Sequence, residues 1–263
     1  MKTILITGGS SGIGLAISKY FAQNGFAICW VSLFEEEILI AQKALLAEYP
    51  NTSIHYCVQD LSKADGVTQT YEWCKSNSLS IDVLVNNAGF GTFGFADTID
   101  LAQEVRMIHL NILGVFKLTR MFLKDMLEKN SGTIINMSSS SAFQPVPKMA
   151  AYSATKAFVK QYSESLSEEL KTLGSKVKVM AVCPAAIKDT KFKEAAKMTK
   201  VKTFEGLAAT STNEVAKDVW HAYQKNQSLV VTGAKLRSLM LLSKLLPSSV
   251  VQYLVRDELS EQS

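Results

Sequence analysis

The alternation of short apolar runs with longer stretches of helical spacing constrains this chain more than any other feature. "TILIT" (3–7), "FAICWV" (26–31), "SIHYCV" (53–58), "IDVLVN" (81–86), "GTIINMS" (132–138), "KVKVMAVC" (176–183) and "SLVVT" (228–232) concentrate β-branched and aromatic residues. Between them, 12–24, 35–48, 63–77, 100–128, 151–173 and 212–226 carry apolar residues at helical intervals. Strands that read as continuous apolar runs are buried on both faces, and strand–helix alternation makes the sheet parallel. The expected fold is α/β: one doubly wound, Rossmann-type domain with a parallel seven-stranded sheet and helices on both faces. No Pro/Gly-rich linker or repeat divides the chain, so residues 1–234 read as one body and 235–263 as an apolar tail.

Composition removes several function classes. A net charge of +4 on 263 residues is too small and too dispersed for nucleic-acid binding. The histidines (His55, His109, His221) have no ligand spacing, so no metal is expected. Cys29, Cys57, Cys74 and Cys183 show no pairing pattern, and Lys2 and Thr3 lead straight into the first strand without a secretory leader. Both features read as a reduced, cytoplasmic protein.

In doubly wound sheets, ligands sit beyond the carboxyl ends of the strands. The first such loop is "TGGSSGIG", Thr7 to Gly14, between a strand and a helix, where backbone N–H groups and the helix dipole favour a pyrophosphate. Gly8 permits the tight turn, Gly12 lets backbone approach phosphate, and Gly14 is expected to let the helix pack on the sheet. Further along, "SSSSAFQPVPKMAAYSATK" (138–156) holds Tyr152 and Lys156 one helical turn apart on one face. A free tyrosine titrates near pH ~10, and a neighbouring ammonium favours the phenolate.

TGxxxGxG at 7–14, "NNAG" at 86–89, Asn111, a serine 13 residues before Tyr152, and YxxxK together resemble the short-chain dehydrogenase/reductase family over residues 3 to about 232. "NNAGFGTFG", "FQPVPKMAAYSATKAF" and "SESLSEEL" are most similar to its bacterial ketoreductase-like branch. The resemblance implies that Tyr152 is the general acid in reduction and the base in oxidation, and that Lys156 lowers its pKa and hydrogen-bonds the nicotinamide ribose. By the same resemblance Ser139 holds the substrate oxygen, Ser140 and Ser141 shape the pocket, and Ser138 is the neighbour most easily confused with Ser139. Asn111 would hold a water linking Lys156 to solvent; its other reading is a buried asparagine satisfying helix backbone.

The implied cofactor contacts are Gly8, Ser10, Ser11, Gly12, Ile13 and Gly14 in the turn, then Asp60, Leu61, Asn87, Ala88, Gly89, Tyr152 and Lys156, then Pro184, Ile187 and Thr190. "PAAIKDT" departs from the family's PGxxxT, so either Thr190 or Asp189 takes the threonine's place. At the end of the second strand, Ser32 stands where an NAD-type aspartate would be and Leu33 where an NADP-type arginine would be. With no aspartate to expel a 2′-phosphate and three hydroxyls to receive it (Ser10, Ser11, Ser32), NADP is favoured over NAD, against Glu35 to Glu37 just downstream.

The implied reaction interconverts a carbonyl and a secondary alcohol, with an apolar small-molecule substrate suggested by Phe90, Phe93, Phe95, Phe143, Val146 and Met149. Two other classes are weighed: a catalytically silent NAD(P)-sensing protein and a membrane-associated lipid-modifying reductase. A lid is expected over about 188–210. Pro247, Arg237 and Lys244 break the tail too often for it to span a bilayer, so it is expected to pack on the body or a partner, with peripheral membrane contact as the alternative. Family membership implies a homodimer or homotetramer.

Overall fold

The computed structural model describes residues 1–199, 201–206, 209–243 and 248–259. Each apolar run forms a strand: β1 (Thr3–Thr7), β2 (Ala27–Ser32), β3 (Ile54–Val58), β4 (Val83–Asn86), β5 (Thr133–Met137), β6 (Lys178–Cys183) and β7 (Leu229–Val231). All pair in parallel, in the order β3-β2-β1-β4-β5-β6-β7. The progression reverses between β1 and β4, so the loops leaving these two strands diverge and open a crevice.

Side chains alternate across each strand, and both faces are covered. Ile4, Ile6 and Trp30 face α1 (Gly12–Gln23) and α8 (Thr212–Gln224) through Phe21 and Val219. Leu5, Leu84 and Ile134 face Leu118 and Phe122 of α5 (Val115–Glu128) and Leu166 of α6 (Ala150–Thr172). α2 (Glu35–Glu48) and α3 (Gly66–Ser76) complete the two layers. A buried polar ladder ties this core to the helix bearing Tyr152. Asn86 donates to Asn136 (2.7 Å) and to Thr119 (3.0 Å), and Asn136 donates to Ser163 (2.9 Å) on α6. Such a chain holds strands and helices in one register, because any slip leaves a polar group unpaired in low dielectric.

The stretch 100–128 departs from a simple helix. It forms α4 (Leu101–Ile108), a π-helical turn (His109–Gly114) and then α5. The wide turn carries Asn111 inward to full burial, and such turns recur at functional sites. The expected lid folds as α7 (Phe192–Ala195) and a short 3₁₀ turn (Lys202–Phe204), although its residues 200, 207 and 208 lie outside the described set. In the tail, α9 (Ala234–Ser243) and α10 (Ser248–Glu258) form; Lys244 and Pro247 fall outside the described residues.

Candidate active site

Two loops from the switch point are locked together. The Thr7 hydroxyl accepts from the amides of Asn87 and Ala88, both at 2.9 Å. The Asn87 side chain donates back to the carbonyls of Thr7 (2.9 Å) and Gly8 (3.2 Å). Gly8 and Gly12 take φ of +63° and +51°, backbone that side chains rarely adopt. Gly14 has a different role from the one expected. A Cβ there would stand 2.2 Å from the Gly8 carbonyl oxygen, so glycine lets α1 close on its own turn rather than seat on the sheet. Beneath the turn, Trp30 is fully buried against Gly9 and donates to Ser18 (2.8 Å).

The turn fits a dinucleotide phosphate. Ser11 gives the first turn of α1 no side-chain cap, which leaves backbone amides to be satisfied from outside the helix. At the end of β2, Ser10 donates to the Ser32 hydroxyl at 3.0 Å, and Leu33 is exposed. Two of the acids beyond are engaged elsewhere: Tyr56 donates to Glu35 (3.2 Å), and Lys191 pairs with Glu37 (2.8 Å).

The second cluster forms where β5 meets α6. Tyr152 and Lys156 share a helix face, with Nζ 5.8 Å from the phenol ring centre. Nζ donates to the Met137 carbonyl at 2.9 Å. Ser139 starts a 3₁₀ turn by accepting from the Ser141 amide (3.1 Å), and its hydroxyl is the neighbour that favours ionisation of the Tyr152 phenol. The adjacent serines separate by partner: Ser138 donates to the Lys156 carbonyl at 2.7 Å and so braces α6. Asn111 donates to the Phe90 carbonyl (2.9 Å) and Thr155 (3.2 Å), and accepts from the Phe90 amide (3.3 Å). At Gly89 a Cβ would lie 2.8 Å from Asn111 Oδ1 and 3.5 Å from Lys156 Nζ, which brings the loop after β4, the π-helical turn and α6 to one point.

Burial dominates the electrostatics of the pair. It pushes the Tyr152 phenol up to about 12, opposed by the Ser139 hydroxyl, and pulls the Lys156 ammonium down to about 8. The ammonium is turned to the Met137 carbonyl, so its expected lowering of the phenol is not the leading effect in this closed arrangement.

The remaining implied contacts divide. Asp60 accepts from the amide (2.9 Å) and hydroxyl (2.6 Å) of Ser62. The Leu61 side chain lies in the core, which leaves only its backbone to a ligand. The Pro184 carbonyl accepts from the Ser140 amide (2.8 Å), joining the β6 exit to the serine turn, and Ile187 bridges to Thr210. Asp189 and Thr190 have different partners. Asp189 accepts from the Thr212 amide and hydroxyl, both 2.8 Å, at the start of α8. Thr190 instead reaches the phosphate turn, its methyl 3.4 Å from where a Gly12 Cβ would stand.

Three participants were not singled out from the sequence. Thr7 carried a signal, since a hydroxyl ending an apolar strand needs a partner. Phe192, with its ring centre 5.5 Å from that of Tyr152, and Lys191, which joins the lid to α2, carried none within a lysine-rich stretch.

Taken together, a phosphate-type turn and a Ser–Tyr–Lys cluster on a seven-stranded parallel sheet define a class. The family described as short chain dehydrogenase matches residues 2–200, and the chain belongs to that family. The mouse (Mus musculus) very-long-chain 3-oxoacyl-CoA reductase is 34% identical over 186 residues, 68% of this chain and 57% of that protein, so the match spans little more than half the relative's length. Two solved structures share the fold. A Sphingobium yanoikuyae short-chain dehydrogenase in complex with NADPH has a TM-score of 0.79 at 24% identity, covering 93% and 94% of the two chains. A Burkholderia phymatum short chain dehydrogenase/reductase in complex with NAD has 0.80 at 22%, covering 90% and 91%.

Proposed function

We propose that this protein is an NAD(P)-dependent oxidoreductase interconverting a carbonyl and a secondary alcohol, working as an NADPH-dependent reductase of an apolar ketone or aldehyde. The observation that carries the reading is the convergence of Ser139, Tyr152, Lys156 and Asn111 next to the phosphate-type turn. A silent sensor has no chemical need for that set.

The turn from Gly8 to Gly14 would hold the pyrophosphate, with Ser32, Leu33 and Asp60 at the adenosine end. Asn87 to Gly89, Lys156, Pro184, Ile187 and Thr190 would lie along the rest. When bound, the nicotinamide supplies the hydride. The chain's part is proton transfer and orientation. The Ser139 and Tyr152 hydroxyls hold the carbonyl oxygen, and the Tyr152 O–H passes its proton to that oxygen as it becomes an alcohol. The charged Lys156 stabilises the phenolate that remains. Asn111 fixes the loop after β4 against α6 through Phe90 and Thr155, and is assigned the water that returns the proton.

The preference for NADP rests on the β2 terminus. No carboxylate stands at Ser32 or Leu33, and Glu35 and Glu37 are held by Tyr56 and Lys191. The test is a titration with NADPH and, separately, NADH, followed through Trp30 beneath the turn. Tighter NADPH binding is expected; tighter NADH binding overturns the preference.

The exposed Leu239, Tyr253 and Leu254 on α9 and α10 favour one second reading, a membrane-associated lipid-modifying reductase. Among the described residues no helix is long and apolar enough to cross a membrane. Vesicle binding that is lost without 235–263 while cofactor binding is kept would favour this reading over a cytoplasmic enzyme. A homodimer or homotetramer is proposed through α5 and α6, where exposed Phe116 and Phe158 flank Tyr162.

A further inference from the structure

The glycine at position 9 is not required by its own backbone. Gly8 and Gly12 take positive φ, whereas Gly9 does not, so its conformation is open to a side chain. What forbids one is the indole of Trp30. A Cβ at Gly9 would stand 2.1 Å from Cδ1, 2.8 Å from Nε1 and 2.9 Å from Cγ of that ring. The ring is not free to step aside. It is fully buried, and its Nε1 donates to the Ser18 hydroxyl at 2.8 Å, which in turn donates to the Gly14 carbonyl at 2.8 Å. One side chain thus reaches both ends of the turn, Gly9 directly and Gly14 through Ser18.

We propose that Trp30 is a positioning residue that sets the shape of the phosphate turn, and with it the affinity for the dinucleotide. The proposal rests on the dinucleotide reading above and names what holds that site in its binding form. Three consecutive residues of β2 fasten three residues of the turn. The Trp30 indole lies under Gly9, the Val31 carbonyl accepts from the Gly8 amide at 2.7 Å, and the Ser32 hydroxyl accepts from the Ser10 hydroxyl at 3.0 Å. The bonds at Gly8 and Ser10 fix only the start of the turn. The indole also fixes its end through Ser18, so the amides in between are held at one spacing. The Leu15 amide bonds the Ser11 carbonyl at 3.1 Å, and helix geometry leaves the amides of Gly12, Ile13 and Gly14 without a partner inside α1. Those are the groups a pyrophosphate would meet, and a turn shaped in advance has less to order on binding.

The experiment titrates the full chain with NADPH by calorimetry, well below each variant's melting temperature, so that affinity is read on folded protein. Wild type, Gly9→Ala, Trp30→Val and the double variant form one cycle. Gly9→Ala weakens NADPH binding about tenfold, because its methyl meets the indole, but by less than about twofold once Trp30→Val has removed the ring. Trp30→Phe, Ser18→Ala and their double variant form a second cycle, which keeps most of the packing and serves equally if Trp30→Val does not fold. Each single change weakens binding about threefold, and the two together no more than either, because both break the same link. Equal effects of Gly9→Ala in both backgrounds, or unchanged or additive affinities in the second cycle, would show that the indole does not set the turn, while the dinucleotide reading stands. If wild type binds neither NADPH nor NADH, that reading fails and the proposal falls with it.

Discussion

The loops around Thr7 and the cluster around Tyr152 are built on different principles. Around Thr7, Gly8 and Asn87 the contacts are hydrogen bonds between loops that leave adjacent parallel strands, and the geometry tolerates almost no added atom. Around Tyr152 the contacts are apolar and come from segments far apart in sequence, Met107, Phe204 and Leu259 among them. Directional bonds fix one loop geometry. Non-directional packing can be re-cut for many substrates without disturbing the proton donor.

Substitutions that strain this contrast should differ sharply in size. The largest effect is expected at Gly14. In Gly14→Val the added carbon meets the Gly8 carbonyl, and displacing the turn costs of order 3 kcal/mol, or about a hundredfold in NADPH affinity by titration. Near-normal affinity would mean the turn is softer than its geometry. Next, Thr7→Val keeps the shape and strips two amides of their acceptor, lowering stability by roughly 2 kcal/mol. The midpoint of urea unfolding should fall with its slope unchanged.

A smaller effect is set by pH. Burial holds Lys156 near 8 against an ordinary 10.5. Reductive kcat/KM should be level below that value and fall as pH rises through about 8, since the neutral amine no longer supports the phenolate. Stability runs the other way: between about 8 and 10.5 the unfolded chain binds the extra proton, so folding strengthens as pH rises. Lys156→Arg stays charged and should abolish the alkaline limb of the rate profile. The smallest effect is at Lys191→Gln. Its pair with Glu37 is exposed, and kcat/KM should change by less than about twofold. A tenfold change would mark the pair as a working latch.

The same contrast governs what was legible in the sequence. The seven strands, the layering and the glycine-rich turn follow from local periodicity, which neighbouring residues dictate, whereas Ser139, Tyr152 and Lys156 were picked out together only by resemblance to the family. At Gly14 the sequence suggests packing on the sheet, whereas the nearest obstacle to a side chain is the Gly8 carbonyl curling back over it, a local contact that no fold-level rule for glycine includes. The π-turn around Asn111 was hidden inside an ordinary helical pattern. Phe192 was not legible as a neighbour of Tyr152, since the two are far apart in sequence and packing has no fixed spacing. Departures at functional positions are where local rules are expected to fail.

The most direct test of the account compares wild type with Tyr152→Phe for NADPH binding and for turnover of an apolar methyl ketone such as 2-octanone. The account predicts unchanged NADPH affinity and a rate reduced by about 10²–10⁴, because only the proton donor is removed. Turnover within a few fold of wild type would contradict it, and would place the acid on a residue other than Tyr152.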